Sequence, residues 1–483
     1  MPTGSLIAAR DVVFTDTQDF RNSGVIRASH TLVIDGMRID NRGGRLEGGD
    51  LVALSTRPGG DIDLTSARVK AGALDIDSGG ALVLATDAQQ REGAVAGGNR
   101  SITRLGQEGR IDVQGDASLA TAGDLVQSGS SIVVGGDLRA DVGGSWRIDS
   151  LETREVQQVR RGAGHSDTQV IGQVGSRLEV DGKIQAHVAQ DLVTQGATLD
   201  LRGGGRIVAG RDVVLGAAVR SEQVDSSSRS GRHSETHQQL DEEVVGTRID
   251  SGADLAIMAG RDIGLRASAM QVDQGRAALQ AGRDVNVESA EERHVLHDTH
   301  VSRQRGVLSS RTIRTDDRIE VTEARGSSLS ADHVDIEAGR DLRVEGSQVV
   351  GTGDVSLRGG RDVRVDAATQ SREESHEREE KRSGVFASGG LGVTIGKQHL
   401  AQEDETRQTM ASGSTVGSVS GHVRIQAGET YRQVGSEALA PRGDIDVEAR
   451  RVEVVEARES LQSDSQTRMR QSGVTVSLSN PVL

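Results

Sequence analysis

The chain has 483 residues, 62 of them Gly and four Pro, with three Phe, one Trp, one Tyr, no Cys and a formal net charge of −15. These figures exclude a collagen-like rod, a disulfide or thiolate-metal scaffold, and a single large core built on aromatic bulk. The charge argues against general nucleic-acid binding, in which phosphate neutralisation dominates affinity, and no apolar run approaches the ~20 residues that span a bilayer.

In chain order, the opening MPTGSLIAARDVVF has no charged stretch followed by an apolar one, so it does not read as a signal peptide. Residues 40–54 read DNRGGRLEGGDLVAL and lead into GGDIDLTSARVKAGALDIDSGGALVL at 59–84. Further on, one phrase recurs: AGRDVVL at 209–215, AGRDIGL at 259–265, AGRDVNV at 281–287, AGRDLRV at 338–344 and GGRDVRV at 359–365. Its Gly permits positive φ and a tight bend, and its Arg-Asp stands exposed at the turn. The V-x-V that follows alternates with period two, which is a strand signal with one buried face.

The glycines of these phrases fall at 210, 260, 282, 339 and 360, and a weaker copy, AGETYRQ, puts Gly428 next. The spacings 22 and 21 define a unit, and the spacings 50, 57 and 68 contain that unit plus an insertion. Repeats of this period imply stacked coils, each contacting only its neighbours. Like positions then stack ~4.8 Å apart, with Val ladders inside and Arg and Asp ladders outside, where opposite signs pair between coils. The expected architecture is an all-β, right-handed parallel β-helix of about 15 coils, 70–75 Å long.

The insertions are polar, charged and poor in the phrase, as in SREESHEREEKRSG at 371–384. They are expected to be protruding, hairpin-like excursions at about 151–173, 219–247, 288–323, 366–412 and 455–483, with a charged helix as the rival for the first arm, particularly in 371–382. Ala290, Ala368 and Ala457 precede Gly306, Gly384 and Gly473 by 16 residues each, and each of these Gly is followed by Val.

The phrase at 40–54 resembles the first-type repeat of filamentous haemagglutinins. The later phrase, its charged excursions and SGVFASGGLGVTIGKQ at 383–398 resemble the second-type haemagglutinin repeat of the same exoproteins. The resemblance touches most of residues 40–475. It divides the chain into a first-type β-helix, 1–150, and a second-type β-helix, 151–483. It implies secretion to the surface or surroundings of a Gram-negative bacterium through an outer-membrane two-partner secretion transporter. No secretion domain, pretoxin junction or toxin is recognisable, which suits an internal piece.

Few residues suggest chemistry. Arg442, Gly443 and Asp444 form one RGD, open to an integrin-binding reading, but R-G-D-I-D-V is also a worn copy of the repeat turn and strand. His294, His297 and His300 form H-x-x-H-x-x-H, read as a solvated arm and not a metal site. GGRIVAGRD and GGLGVTIG (389–396) lack a following helical pattern, so both read as turns and not phosphate loops. The calcium-binding nonapeptide repeat fails on period. Asp316-Asp317 is the one adjacent Asp pair, too little for a sugar-cleaving cleft.

No catalytic, cofactor or metal residues are therefore assigned. The expected function is a structural and adhesive shaft that engages a host-cell or bacterial surface receptor, without nucleic acid and without membrane insertion of this segment. The alternatives are the shaft of a contact-dependent growth-inhibition exoprotein that delivers a toxin, and a β-helical polysaccharide hydrolase or lyase.

Overall fold

A computed structural model describes residues 5–387 and 392–477, and no helix occurs among the described residues. The chain winds into the expected parallel β-helix with three faces. Face one runs from Leu6–Ala9 to Glu437–Leu439, face two from Val12–Thr17 to Ile445–Glu448, and face three from Phe20–Arg21 to Arg451–Val455. Equivalent positions on face one fall at residues 6, 25, 45, 68, 110, 131, 177, 198, 248, 269, 328, 348, 415 and 437. That is one fewer coil than counted from sequence, and a described rod about 60 Å long.

Period-two patterning explains each strand. Leu255–Ala259 buries Leu255, Ile257 and Ala259, while Ala256 and Met258 lie partly exposed between them. Coil upon coil, the inward residues form columns. One column on face three runs Leu82, Leu125, Trp146, Leu192, Val213, Ile263, Val285, Leu342, Val363, Tyr431. All are buried. At ~1.5–3 kcal/mol for each large apolar side chain, such columns dominate the stability of the rod. The only Trp and the only Tyr each occupy one rung.

The repeated glycines serve a different purpose from the one expected. Gly260, Gly282, Gly339, Gly360 and Gly428 do not adopt positive φ. A Cβ on any of them would overlap the carbonyl oxygen of the stacked Gly one coil earlier. Close approach of successive backbones, not a left-handed bend, requires Gly there. A buried serine column stands beside face one. The N–H groups of Ser268, Ser327, Ser347 and Ser414 donate to the hydroxyls of Ser327, Ser347, Ser414 and Ser436, at 3.0–3.1 Å.

From residue 68 onward, the steps between equivalent positions alternate long and short: 42, 21, 46, 21, 50, 21, 59, 20, 67 and 22 residues. Each long step contains one antiparallel hairpin. The hairpins are Ala88–Val95 with Gly98–Leu105, Leu151–Arg161 with Gly164–Val174, and the outer part of Val213–Ser230 with His233–Gly246. Ala290–Arg305 with Ser309–Arg325, and Ala368–Ala387 with Gly392–Ser412, complete them. Ser460–Ser477 adds a further arm.

The hairpin at 88–105 was not expected from the sequence. The helical rival for 371–382 is excluded. That arm has no apolar face to bury as a helix, whereas as a strand its backbone pairs on both sides, with 311–322 and 398–409. Val393–Gly396, read from sequence as part of a turn, lie on the strand Gly392–Ser412, while residues 389–391 of that motif lie outside the described residues. In GGRIVAGRD, Gly205–Ala209 is likewise strand, and the turn follows it.

The hairpins pair with one another. Each outgoing strand lies antiparallel against the return strand of the hairpin before it, over five, then seven, nine, fourteen and eighteen residues. The result is one continuous antiparallel sheet, a wing that widens along the rod. The alternation has a geometric cause. Two wing strands occupy about 9.6 Å, and two coils rise the same distance. One hairpin per two coils therefore keeps wing and rod in step, and one per coil would not fit.

Candidate interaction surface

The outer corner of the rod explains the recurring Arg-Asp. Each Arg reaches back one coil and forks over the earlier Asp: Arg261 on Asp212, Arg283 on Asp262, Arg340 on Asp284 and Arg361 on Asp341, with Nε–O distances of 2.8–3.1 Å. The first three of these carboxylates also accept the backbone N–H of the next Asp, at 3.1–3.2 Å. The Arg340 fork holds the Asp284 carboxyl below the usual carboxylate range, and Arg261 does the same for Asp212. The charges are mutually consumed, so this corner is a structural ladder that offers a partner little free charge.

The wing presents the more varied surface. It projects from the rod, and a small buried apolar cluster of Val244, Ala267 and Ala290 lies at its root. Cross-strand ion pairs join residues distant in sequence. Arg311 grips Glu380 at 2.7 and 3.0 Å, Arg382 closes from the side, and together they hold the nearly buried Glu380 carboxyl below its ordinary range. One register row crosses five strands as His237, Asp298, Asp317, His376, Asp404. In it His237 meets Asp298 at 2.7 Å and His376 meets Asp317 at 3.0 Å. Sequence reading missed this row, because nothing local to 237, 298, 317 or 376 announces that they are neighbours.

The singled-out residues fall as follows. Arg442, Gly443 and Asp444 occupy the turn between faces one and two, with both charged side chains exposed. The Asp444 carboxylate is 3.4 Å from His422, and a Cβ on Gly443 would overlap the carbonyl oxygen of Gly421 one coil earlier. The triplet is thus both a stacked rung and accessible.

His294, His297 and His300 lie on one wing strand and each faces a carboxylate: Asp241 at 3.1 Å, Asp316 at 2.7 Å and Glu235 at 3.2 Å. Alternation puts His297 on the face opposite the other two, so the three do not converge. Asp316 and Asp317 also face opposite sides, toward His297 and His376 respectively, and form no carboxylate pair.

A stack of parallel coils with an edge-on polar wing is a shaft, repetitive in its interior and variable only in what it carries outward. The chain belongs to the haemagglutinin-repeat family: the family model described as Hemagglutinin repeat matches residues 226–315 and 308–473. It is 36% identical over 99% of its length to a tRNA nuclease CdiA-2 of Burkholderia pseudomallei (strain 1026b), covering 15% of that protein. It is 34% identical over 99% of its length to a toxin CdiA of Yersinia pestis, covering 14% of it. It is 32% identical over 97% of its length to a deoxyribonuclease CdiA of Dickeya dadantii (strain 3937), covering 15% of it. The chain thus spans about one seventh of the length of these relatives. No solved structure matches it.

Proposed function

We propose that this segment is the stiff shaft of a large exported surface protein of the contact-dependent inhibition type, holding a toxic effector toward a neighbouring bacterium. One observation carries this reading. Relatives named for different activities, a tRNA nuclease and a deoxyribonuclease, share this same segment at similar identity, and it is a small part of each. What is common to them is the carrier, and what differs is the effector, which supports reading the segment as a non-enzymatic carrier. Export would use an outer-membrane two-partner secretion transporter, and the protein would be secreted or displayed on a Gram-negative cell. A receptor on the neighbouring cell would be the other partner.

Adhesion to a host or other surface is the second reading, favoured by the exposed Arg442-Gly443-Asp444 turn and by the wing. The polysaccharide-cleaving reading loses support from the divergence of Asp316 and Asp317. The test is co-culture of a susceptible neighbour with a strain exporting the full-length protein and, separately, with a strain whose protein lacks this segment. Equal amounts at the cell surface and loss of neighbour inhibition are expected on deletion. Undiminished inhibition without the segment would overturn the proposal, and loss of host-cell attachment alone would favour the adhesin.

A further inference from the structure

At the root of the wing, three side chains from two adjacent strands converge. Glu292 and His294 lie two apart on the outgoing strand Ala290–Arg305 and so share a face. Glu323, on the return strand Ser309–Arg325, is the register partner of Glu292. One ligand-type atom from each of the three lies within 4.8 Å of the other two.

Two further features set this group apart from an ordinary charged patch. The first is a charge imbalance: carboxylates directly opposed across a strand pair repel. Of the nearby guanidiniums, Arg293 turns toward Glu242 at 3.9 Å and Arg220 toward Glu243 at 3.5 Å, while Arg325, two residues from Glu323 on the same strand face, does not pair with it. Among the described residues neither Glu292 nor Glu323 has an ion-pair partner. The second is the orientation of the imidazole. Nδ1 of His294 lies 3.1 Å from Oδ1 of Asp241, its register partner on the preceding hairpin. That contact occupies Nδ1 and leaves Nε2 free to act as a ligand. A carboxylate behind the far nitrogen of a ligand imidazole fixes its tautomer and ring orientation. Glu292 is itself held, since its Oε1 accepts the N–H of Val244 at 2.8 Å.

We propose that Glu292, His294 and Glu323 form a divalent transition-metal site of the zinc type at the wing root. The ligand set selects the ion: an imidazole suits zinc and its neighbours, whereas calcium and magnesium prefer all-oxygen shells. Three protein ligands leave a coordination position for water or for a ligand from a partner. The ion would replace a repulsive pair with a bridge joining both strands of the fourth hairpin, with the third hairpin held behind through Asp241. It does not depend on which exported protein carries the shaft.

The test is titration of the 483-residue chain with zinc by calorimetry and with cobalt by visible absorption, alongside His294→Ala, Glu323→Gln, Asp241→Asn and, as a control, His297→Ala. Circular dichroism verifies that each variant is folded. One zinc per chain is expected, with affinity reduced about tenfold or more in His294→Ala, Glu323→Gln and Asp241→Asn, and unchanged in His297→Ala. Calcium and magnesium should not compete at equal concentration. Absence of binding, binding unaltered in His294→Ala, or equal loss in His297→Ala would overturn the site.

Discussion

Changing Glu429 to Arg should stabilise the rod, because the Arg-Asp ladder breaks at that rung. Four successive Asp residues, ending with Asp341, receive a guanidinium fork from the following coil. Asp362 should be the fifth. Glu429 stacks on Arg361 through a 2.7 Å backbone bond, so it occupies the position of the missing Arg and brings a like charge instead. As a result Asp362 Oδ1 is buried with no hydrogen-bond partner among the described residues, and the nearest cations, Arg364 and Arg361, stand at 3.4 and 3.8 Å from Oδ2.

An exposed ion pair is worth ~0.2–1 kcal/mol. Satisfying an orphaned buried acceptor contributes ~1–3 kcal/mol. Glu429 is exposed, so the longer Arg side chain meets no core. Discounting for ordering the new side chain, a gain of ~1–2 kcal/mol is expected. The assay is urea denaturation followed by circular dichroism, with Asp362→Asn and the double variant completing a cycle. If Glu429→Arg gives no gain, or the same gain with Asn at 362, the ladder is not what stabilises this corner.

Tyr431 is the only Tyr, and burial pushes its hydroxyl up to about 12, so absorbance at alkaline pH should show one phenol titrating near that value, well above the ordinary ~10. Gly339→Ala should destabilise by roughly 2 kcal/mol or more in the same urea assay, since the added methyl overlaps the Gly282 carbonyl oxygen. Asp284 is held below the usual carboxylate range, so its contribution is present above the unfolded pKa of ~3.9 and is lost as pH falls through its lower folded value. Asp284→Asn should therefore lower the urea midpoint at pH 7 and have little effect near pH 2. If Asp444 serves only the coil turn, Asp444→Glu should leave cell attachment unchanged, and loss of integrin-dependent attachment by a folded variant would give the triplet a binding role.

Several features of the fold were legible in the chain because they are local and repeated. The alternation in a segment such as AGRDVNV marks which residues face inward, and stacking one copy on the next turns that local choice into the buried columns and the Arg-Asp ladder. The excursions were visible as interruptions of the phrase. The hairpin at 88–105 was not, because AQQREGAVAGGNRSITRL carries neither the charged arm nor the Ala-to-Gly spacing of the later ones.

The pairing of one hairpin with the next was decided only in three dimensions. Contacts such as Glu235 with His300, or Arg311 with Glu380, join residues 65 and 69 positions apart. No local propensity encodes such a partner. It follows from the matched rise of two coils and two strands, which brings consecutive hairpins to sheet spacing and sets their register. The Glu292, His294 and Glu323 group arises in the same way. The alternating pattern determines which side chains share a face of one strand, and the tertiary stacking determines which charges on neighbouring strands come to oppose or to pair.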